Sequence, residues 1–275
     1  MTDTLKGKWA LILGASSGFG AATARALSAA GMNICGVHLD LRATLPAAKA
    51  VIADIEACGS QALFFNTNAA DPDRRTKVLD GLANALQGGS EPRVEPGAEP
   101  RVHVLMHSLA FGTLLPFIAD KPEKAINQAQ IEMTMNVMAN SLVYWSQDLV
   151  RRDLLAPGSR IFSMTSEGSH RVVRNYGAVG AAKAALEAYT RQLALELGPR
   201  GILVNTIEAG VTDTPALRKI PGHEEMLAAS LRRNPSGRMT TTDDVAATIL
   251  ALSQPSLRFI SGSVIFVDGG EDVVG

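Results

Sequence analysis

Short apolar runs recur along the chain and alternate with longer, alanine-rich stretches of helical period. The runs are Trp9–Leu13, Asn33–Val37, Ala62–Phe65, Val102–His107, Arg160–Met164, Leu203–Ile207 and Val264–Val267. Each is too short to be read as a helix, and Trp9–Leu13 is apolar throughout, as a strand covered on both faces must be. Between them, segments such as Gly20–Ala30 and Pro46–Cys58 are rich in helix formers. This alternation predicts an α/β fold: a doubly wound, seven-stranded parallel sheet in a single domain, residues 1–275. One segment breaks the rhythm. Gly88–Arg101 reads GGSEPRVEPGAEPR, repeats EPR and has no apolar period, so a solvated loop insertion is expected before the fourth strand.

Directly after the first run comes Gly14-Ala15-Ser16-Ser17-Gly18-Phe19-Gly20, which opens a helical stretch. Glycines at this spacing allow a tight turn and let the backbone approach a pyrophosphate. The helix start adds unpaired N–H groups and the positive end of a dipole. A strand before and a helix after are the context a dinucleotide site of the Rossmann type requires. Asp40, twenty residues beyond Gly20, follows the second run. A carboxylate there can accept from the ribose 2′-hydroxyl of NAD, whereas His38 and Arg42 can hold the 2′-phosphate of NADP. The two signals conflict, and NADPH and NADH both stay open.

Composition narrows the function. With 26 basic and 27 acidic residues the net charge is −1, so no basic field for nucleic acid is expected. No stretch is long and apolar enough to span a membrane, and Met1–Lys8 lacks a signal-peptide core, so a cytoplasmic location is expected. Cys35 and Cys58 are read as small buried residues, with no metal site.

The sharpest chemical signal is Tyr176 and Lys183 at the start of an alanine-rich helical stretch. Seven residues is close to two turns, so the two side chains share a face about 10 Å apart along the axis. Lysine is then placed to reach a cofactor ribose and tyrosine to reach farther, towards a substrate. A nearby ammonium is expected to lower the phenol pKa. The pair suits stabilisation of an oxygen that gains negative charge.

With these residues the chain resembles the short-chain dehydrogenase/reductase superfamily. Gly14–Gly20, Asn136 in TMNVMAN, Ser166 in SMTSEG, Tyr176, Lys183, Gly210–Thr214 and the final VDGG at Val267–Gly270 follow its order. The wide Tyr176–Lys183 gap, the pair His107-Ser108 and the stretches NYGAVGAAKAALEAYTRQLALEL, GVTDTPAL and NPSGRMTTTDDV resemble bacterial enoyl-acyl-carrier-protein reductases, most closely the third isoform type. Ser166 stands where that type has serine and the commonest isoform tyrosine. Leu13, where a threonine is usual, and the 88–101 insertion depart from the pattern.

The resemblance implies NAD(P)H-dependent reduction of the trans-2 double bond of enoyl thioesters on acyl carrier protein, with a slight lean to NADPH. It makes Tyr176 the group that stabilises the enolate and Lys183 the ribose ligand. Asn136 is expected to prop the backbone near Lys183 or hold a water, and Ser166 to bond substrate or cofactor amide. Asn68 is placed at the adenine, Ser108 beside the cofactor, and Gly210, Thr212 and Thr214 at the nicotinamide carboxamide. Phe111 and Met226 are expected in the acyl pocket, with 215–235 as a lid. The small Gly177 and Gly180 suit close approach of the cofactor or a helix. A homotetramer or dimer is implied through Ala181–Leu197 and Ser263–Val267. Two alternatives remain: a carbonyl or alcohol oxidoreductase of the same superfamily, and a non-catalytic dinucleotide sensor.

Overall fold

A computed structural model describes residues 4–88 and 101–274 of the chain. The expected insertion at 88–101 lies almost wholly outside the described residues. The first half runs β1 (Trp9–Leu13), α1 (Gly18–Ala29), β2 (Asn33–His38), α2 (Leu45–Ala57), β3 (Ala62–Asn66), α3 (Pro72–Gly88) and β4 (Val102–His107). There follow α4 (Gln128–Met135), a π-helical turn at Asn136–Asn140, α5 (Ser141–Arg151) and β5 (Leu155–Thr165). The chain then forms α6 (Gly177–Leu197), β6 (Leu203–Ala209), α7 (His223–Arg233), α8 (Thr242–Leu252) and β7 (Val264–Val267).

All seven strands pair in parallel in the order β3-β2-β1-β4-β5-β6-β7. Alternate side chains of each inner strand enter two separate cores. Trp9, Leu11 and Leu13 of β1 join Leu79, Leu82, Trp145, Leu149 and Leu186 beneath α3, α5 and α6. Ala10 and Ile12 join Leu27, Ile55, Val245 and Ile249 beneath α1, α2 and α8. Two apolar faces explain the unbroken apolar reading of β1. The order reverses between β1 and β4, and the crevice beyond their carboxyl ends is where open α/β sheets bind ligands.

The predicted strands are all present, with ends that move by a residue or two except at β5. That strand begins at Leu155 rather than Arg160, because Leu155 pairs with Val102 before a register shift. Arg160 lies buried in it, donating to the carbonyls of Leu252 and Gln254 where α8 ends. Cys35 is buried as expected, but Cys58 is exposed, because it follows the last turn of α2 on the solvent side.

Candidate active site

The phosphate-binding turn is built by contacts that leave no room for side chains. The Gly14 and Ala15 amides both donate to the Val37 carbonyl, which draws the turn onto β2. Gly14 has φ +90°, and a Cβ there would lie 2.5 Å from the Ser108 carbonyl oxygen. A Cβ on Gly20 would lie 2.0 Å from the Gly14 oxygen. Ser17 occupies the N-cap of α1 without capping it through its side chain, and the first turn holds no acidic residue. The free N–H groups of that turn and the dipole behind them fit a pyrophosphate. Gly18 faces the methyl of Thr214, 3.6 Å from its would-be Cβ, so the 210–214 loop packs against the turn. The hydroxyls of Thr212 and Thr214 serve that loop itself, through the Gly210 carbonyl and the Leu217 amide.

At the end of β2 the expected rivals for the ribose form one assembly. His38 is buried against Phe64, and its Nδ1 lies 2.7 Å from the Asp40 carboxylate. His38 is thus a partner of Asp40, its ring tucked away from solvent, rather than the free phosphate ligand expected. Burial works to raise the Asp40 carboxyl, but hydrogen bonds from Thr44, Ser16 and His38 outweigh it and hold the group below the usual carboxylate range. Arg42 is exposed and has no ion pair among the described residues. Asn68 uses its side-chain oxygen to accept from the Ala70 amide, a turn within its own loop.

The chemistry-bearing residues converge at the ends of β5 and α6. Tyr176 sits just ahead of α6, and its hydroxyl lies 3.4 Å from Ser166 Oγ. Its ring passes over Gly168, whose would-be Cβ lies 2.5 Å away; Gly180 is held small by the Gly168 carbonyl at 2.5 Å. The glycines of α6 therefore accommodate a neighbouring loop, and Gly177 also meets the ring of Phe117. Lys183 is buried and donates to the Met164 carbonyl at 2.7 Å. Burial pulls its pKa down to about 8. The expectation that this ammonium lowers the tyrosine pKa is overturned: burial raises the Tyr176 phenol, and Glu167 adds to the rise against the Ser166 hydrogen bond. The lysine charge is spent on the β5 carbonyl instead. His107 is fully buried against Ser141, and burial, with the Lys183 charge behind it, pushes its pKa down to about 3, so it is neutral.

Asn136 opens the π turn, which packs against α6. Phe111 is exposed beyond β4. Met226 on α7 lines a cleft of about 280 Å³ with Val172, Val173, Val211, Glu167 and Arg233. Arg233, at the end of α7, bridges Glu167 and Glu271 at 3.0 and 2.8 Å. Sequence reasoning missed Gly168, Phe117 and Arg233. The glycine and the phenylalanine carry no motif of their own, and the arginine bridge joins residues 66 and 38 positions away.

Residues 14–271 match the family described as enoyl-(acyl carrier protein) reductase. The chain belongs to this family. It is an oxidoreductase of the short-chain dehydrogenase/reductase superfamily, with the expected fold. Among individual relatives, D-erythrulose reductase of Gallus gallus is 27% identical, over 97% of this chain and 96% of its own. An enoyl-acyl-carrier-protein reductase (NADH) of Rhizobium meliloti is 38% identical, but the match spans only 44% of this chain and 45% of the relative. A short-chain dehydrogenase from Burkholderia cenocepacia, solved with NADP, is 31% identical and covers 98% of this chain and 100% of its own, with a TM-score of 0.79. Relatives thus include users of either coenzyme. No helix among the described residues is long and apolar enough to cross a membrane.

Proposed function

We propose that this enzyme reduces the trans-2 double bond of an enoyl thioester carried on acyl carrier protein. The observation that carries the proposal is the Tyr176–Lys183 pair set seven residues apart, with Val172 and Val173 just before Tyr176 joining Met226 to supply apolar side chains to the rim of a nearby cleft. Phe117 and Ile118, both largely exposed, extend apolar surface beside Gly177. Such a rim suits an acyl chain better than a polyol.

The turn at Gly14–Gly20 fits a dinucleotide pyrophosphate, with Lys183 and Ser108 placed for its nicotinamide end and Asp40 for the adenosine ribose. When bound, the reduced nicotinamide supplies the hydride for the β-carbon. Tyr176 keeps its proton at neutral pH, since burial raises its pKa. It therefore donates a hydrogen bond to the thioester oxygen as the enolate charge develops there. A proton then adds at the α-carbon. Asp40 is ionised beside the turn and its neighbour His38 is occupied, so a 2′-phosphate meets negative charge; these electrostatics favour NADH over the NADPH that the resemblance leans to. Self-association into a dimer or tetramer through α6 and β7 belongs to the same proposal.

A carbonyl substrate is the second reading. It is favoured by the full-length match to a sugar reductase and by the Ser166 hydroxyl, which points at Tyr176 as a second donor to one oxygen. Oxidation of NADH and of NADPH, followed at the nicotinamide absorbance with crotonyl thioester and separately with D-erythrulose, decides between them. Saturable turnover of crotonyl thioester, at least about tenfold more efficient with NADH, is expected. Turnover of erythrulose alone would replace the enoyl proposal with the carbonyl one.

A further inference from the structure

Outside Ser166, Tyr176 and Lys183, three side chains from separate parts of the chain meet beyond the ends of β5, β6 and β7. His170 belongs to the segment between Ser166 and Tyr176. Glu208 lies in β6, paired with Thr165 on one side and Phe266 on the other. Asp272 follows β7. One ligand atom of each lies within 4.8 Å of the others.

Glu208 is the unusual member. It is 2% exposed, and its carboxylate accepts no hydrogen bond among the described residues. Its nearest cationic group is His170 Nδ1, at 4.0 Å. Buried carboxylates are normally paired or bound to a cation. Further negative charge from Glu187, Asp268 and Asp272 surrounds it. Asp272 Oδ1 meets His170 Nε2 and Arg171 Nε, each at 3.0 Å, which leaves Oδ2 unengaged among the described residues. His170 Nδ1 also lies 3.0 Å from Ser169 Oγ. The group thus has a buried, strand-held carboxylate at its base and a partly exposed imidazole at its mouth.

We propose that His170, Glu208 and Asp272 bind a divalent transition-metal cation, Zn²⁺ above all, which fastens the segment carrying Ser166 and Tyr176 to β6 and to the residues after β7. One imidazole and two carboxylates form a donor set that Zn²⁺ accepts, with solvent free to complete the tetrahedron. Bonds of about 2.0–2.2 Å place tetrahedral ligand atoms roughly 3.3 Å apart, so the cluster must close by about an ångström. His170 can supply that movement, because its side chain is 42% exposed and hangs from a short loop. The cation would displace the His170–Asp272 contact and neutralise Glu208. Arg171 remains on Asp272 as a neighbour to the metal, opposing it by charge while holding Asp272 Oδ1 in place.

The test is titration of the chelator-treated full-length protein with Zn²⁺ by calorimetry at pH 7.5, alongside thermal melts. The expected result is one equivalent bound per chain at micromolar affinity or better, with a rise in Tm. His170→Asn and Glu208→Gln should each weaken binding by more than about 100-fold, since each replaces a strong donor by a weakly coordinating amide, a larger loss than the roughly 10–100-fold of outer-shell changes. Cys58→Ser should leave binding intact, which excludes the exposed thiol as the site. His170 is exposed enough for its variant to fold, so that arm stands even if Glu208→Gln does not fold. The absence of binding at about 100 μM Zn²⁺ would overturn the proposal, as would binding that survives His170→Asn.

Discussion

Tyr176 and Lys183 are read most simply as a pair in which the lysine acidifies the tyrosine, yet the fold arranges them otherwise. Lys183 donates a hydrogen bond to the Met164 carbonyl, and Tyr176 is left protonated in a buried setting. Tyr176 therefore acts as a hydrogen-bond donor, and Tyr176→Phe should lower kcat at least about 100-fold while the coenzyme Kd stays within about twofold. Fluorescence titration and steady-state rates measure both; a variant that still turns over would make Tyr176 a structural residue. Lys183 has a consequence of its own for stability. Its folded pKa is about 8 against 10.5 ordinarily. Below pH 8 the group is charged in both states, and the cost of burying it is present in full. Between about pH 8 and 10.5 only the unfolded lysine holds the proton, so stability from this group rises with pH through that window. Urea unfolding of the coenzyme-free protein should show wild type gaining on Lys183→Met by a few kcal/mol between pH 8 and 10.5. A difference that does not vary with pH would mean that Lys183 is solvated.

At the scale of elements, three local devices shape the crevice. The first is the β1–α1 turn, where Gly14 and Gly20 exist for close approach. Gly20→Ala places a methyl group 2.0 Å from a backbone oxygen, so α1 must shift. A loss of about 1–3 kcal/mol in stability is expected, with at least tenfold weaker coenzyme binding; melts and titration test it. Unchanged binding would show that the turn can relax without moving α1. The second device is the π turn at Asn136–Asn140, an insertion of the kind found at functional sites, which lies against α6. The third is α7, which faces the 172–173 segment across a cleft at Met226 and is joined by Arg233 to Glu167 and Glu271. Helical period alone does not separate a lid from a core helix.

For the whole molecule, the sheet ends at β7, an edge strand with Phe266 half exposed. Phe259 is fully exposed and Leu195, on α6, is 72% exposed. Open strand edges and bare aromatic side chains are normally covered. The proposed dimer or tetramer covers them, so light scattering should give a mass two or four times the 29.0 kDa of the chain. Phe266→Asp should lower it. A monomeric mass for the wild type would leave these side chains bare and refute the assembly. A hollow of about 500 Å³ beside β7, lined by Arg238, Thr248 and Phe266, lies on the same edge and shares no lining residue with the cleft at Met226.

Much of this protein is written locally. A five-residue apolar run at β1 can only be a strand covered on both sides, a glycine triplet between strand and helix has one common use, and Tyr176 and Lys183 share a helical face by spacing alone. These features depend on neighbours within two turns of chain, so periodicity and steric rules suffice to read them. Other features depend on groups far apart in sequence. The start of β5 was missed because its pairing with Val102 crosses 53 residues. His38 was misread because its partner Asp40 is fixed by Asn66, a residue of the next strand. The tyrosine pKa turned on where Lys183 points, and the buried Glu208 beside His170 and Asp272 has no motif at all. Burial, charge balance and hydrogen-bond partners are properties of the packed assembly, and only folding brings those residues within reach of one another.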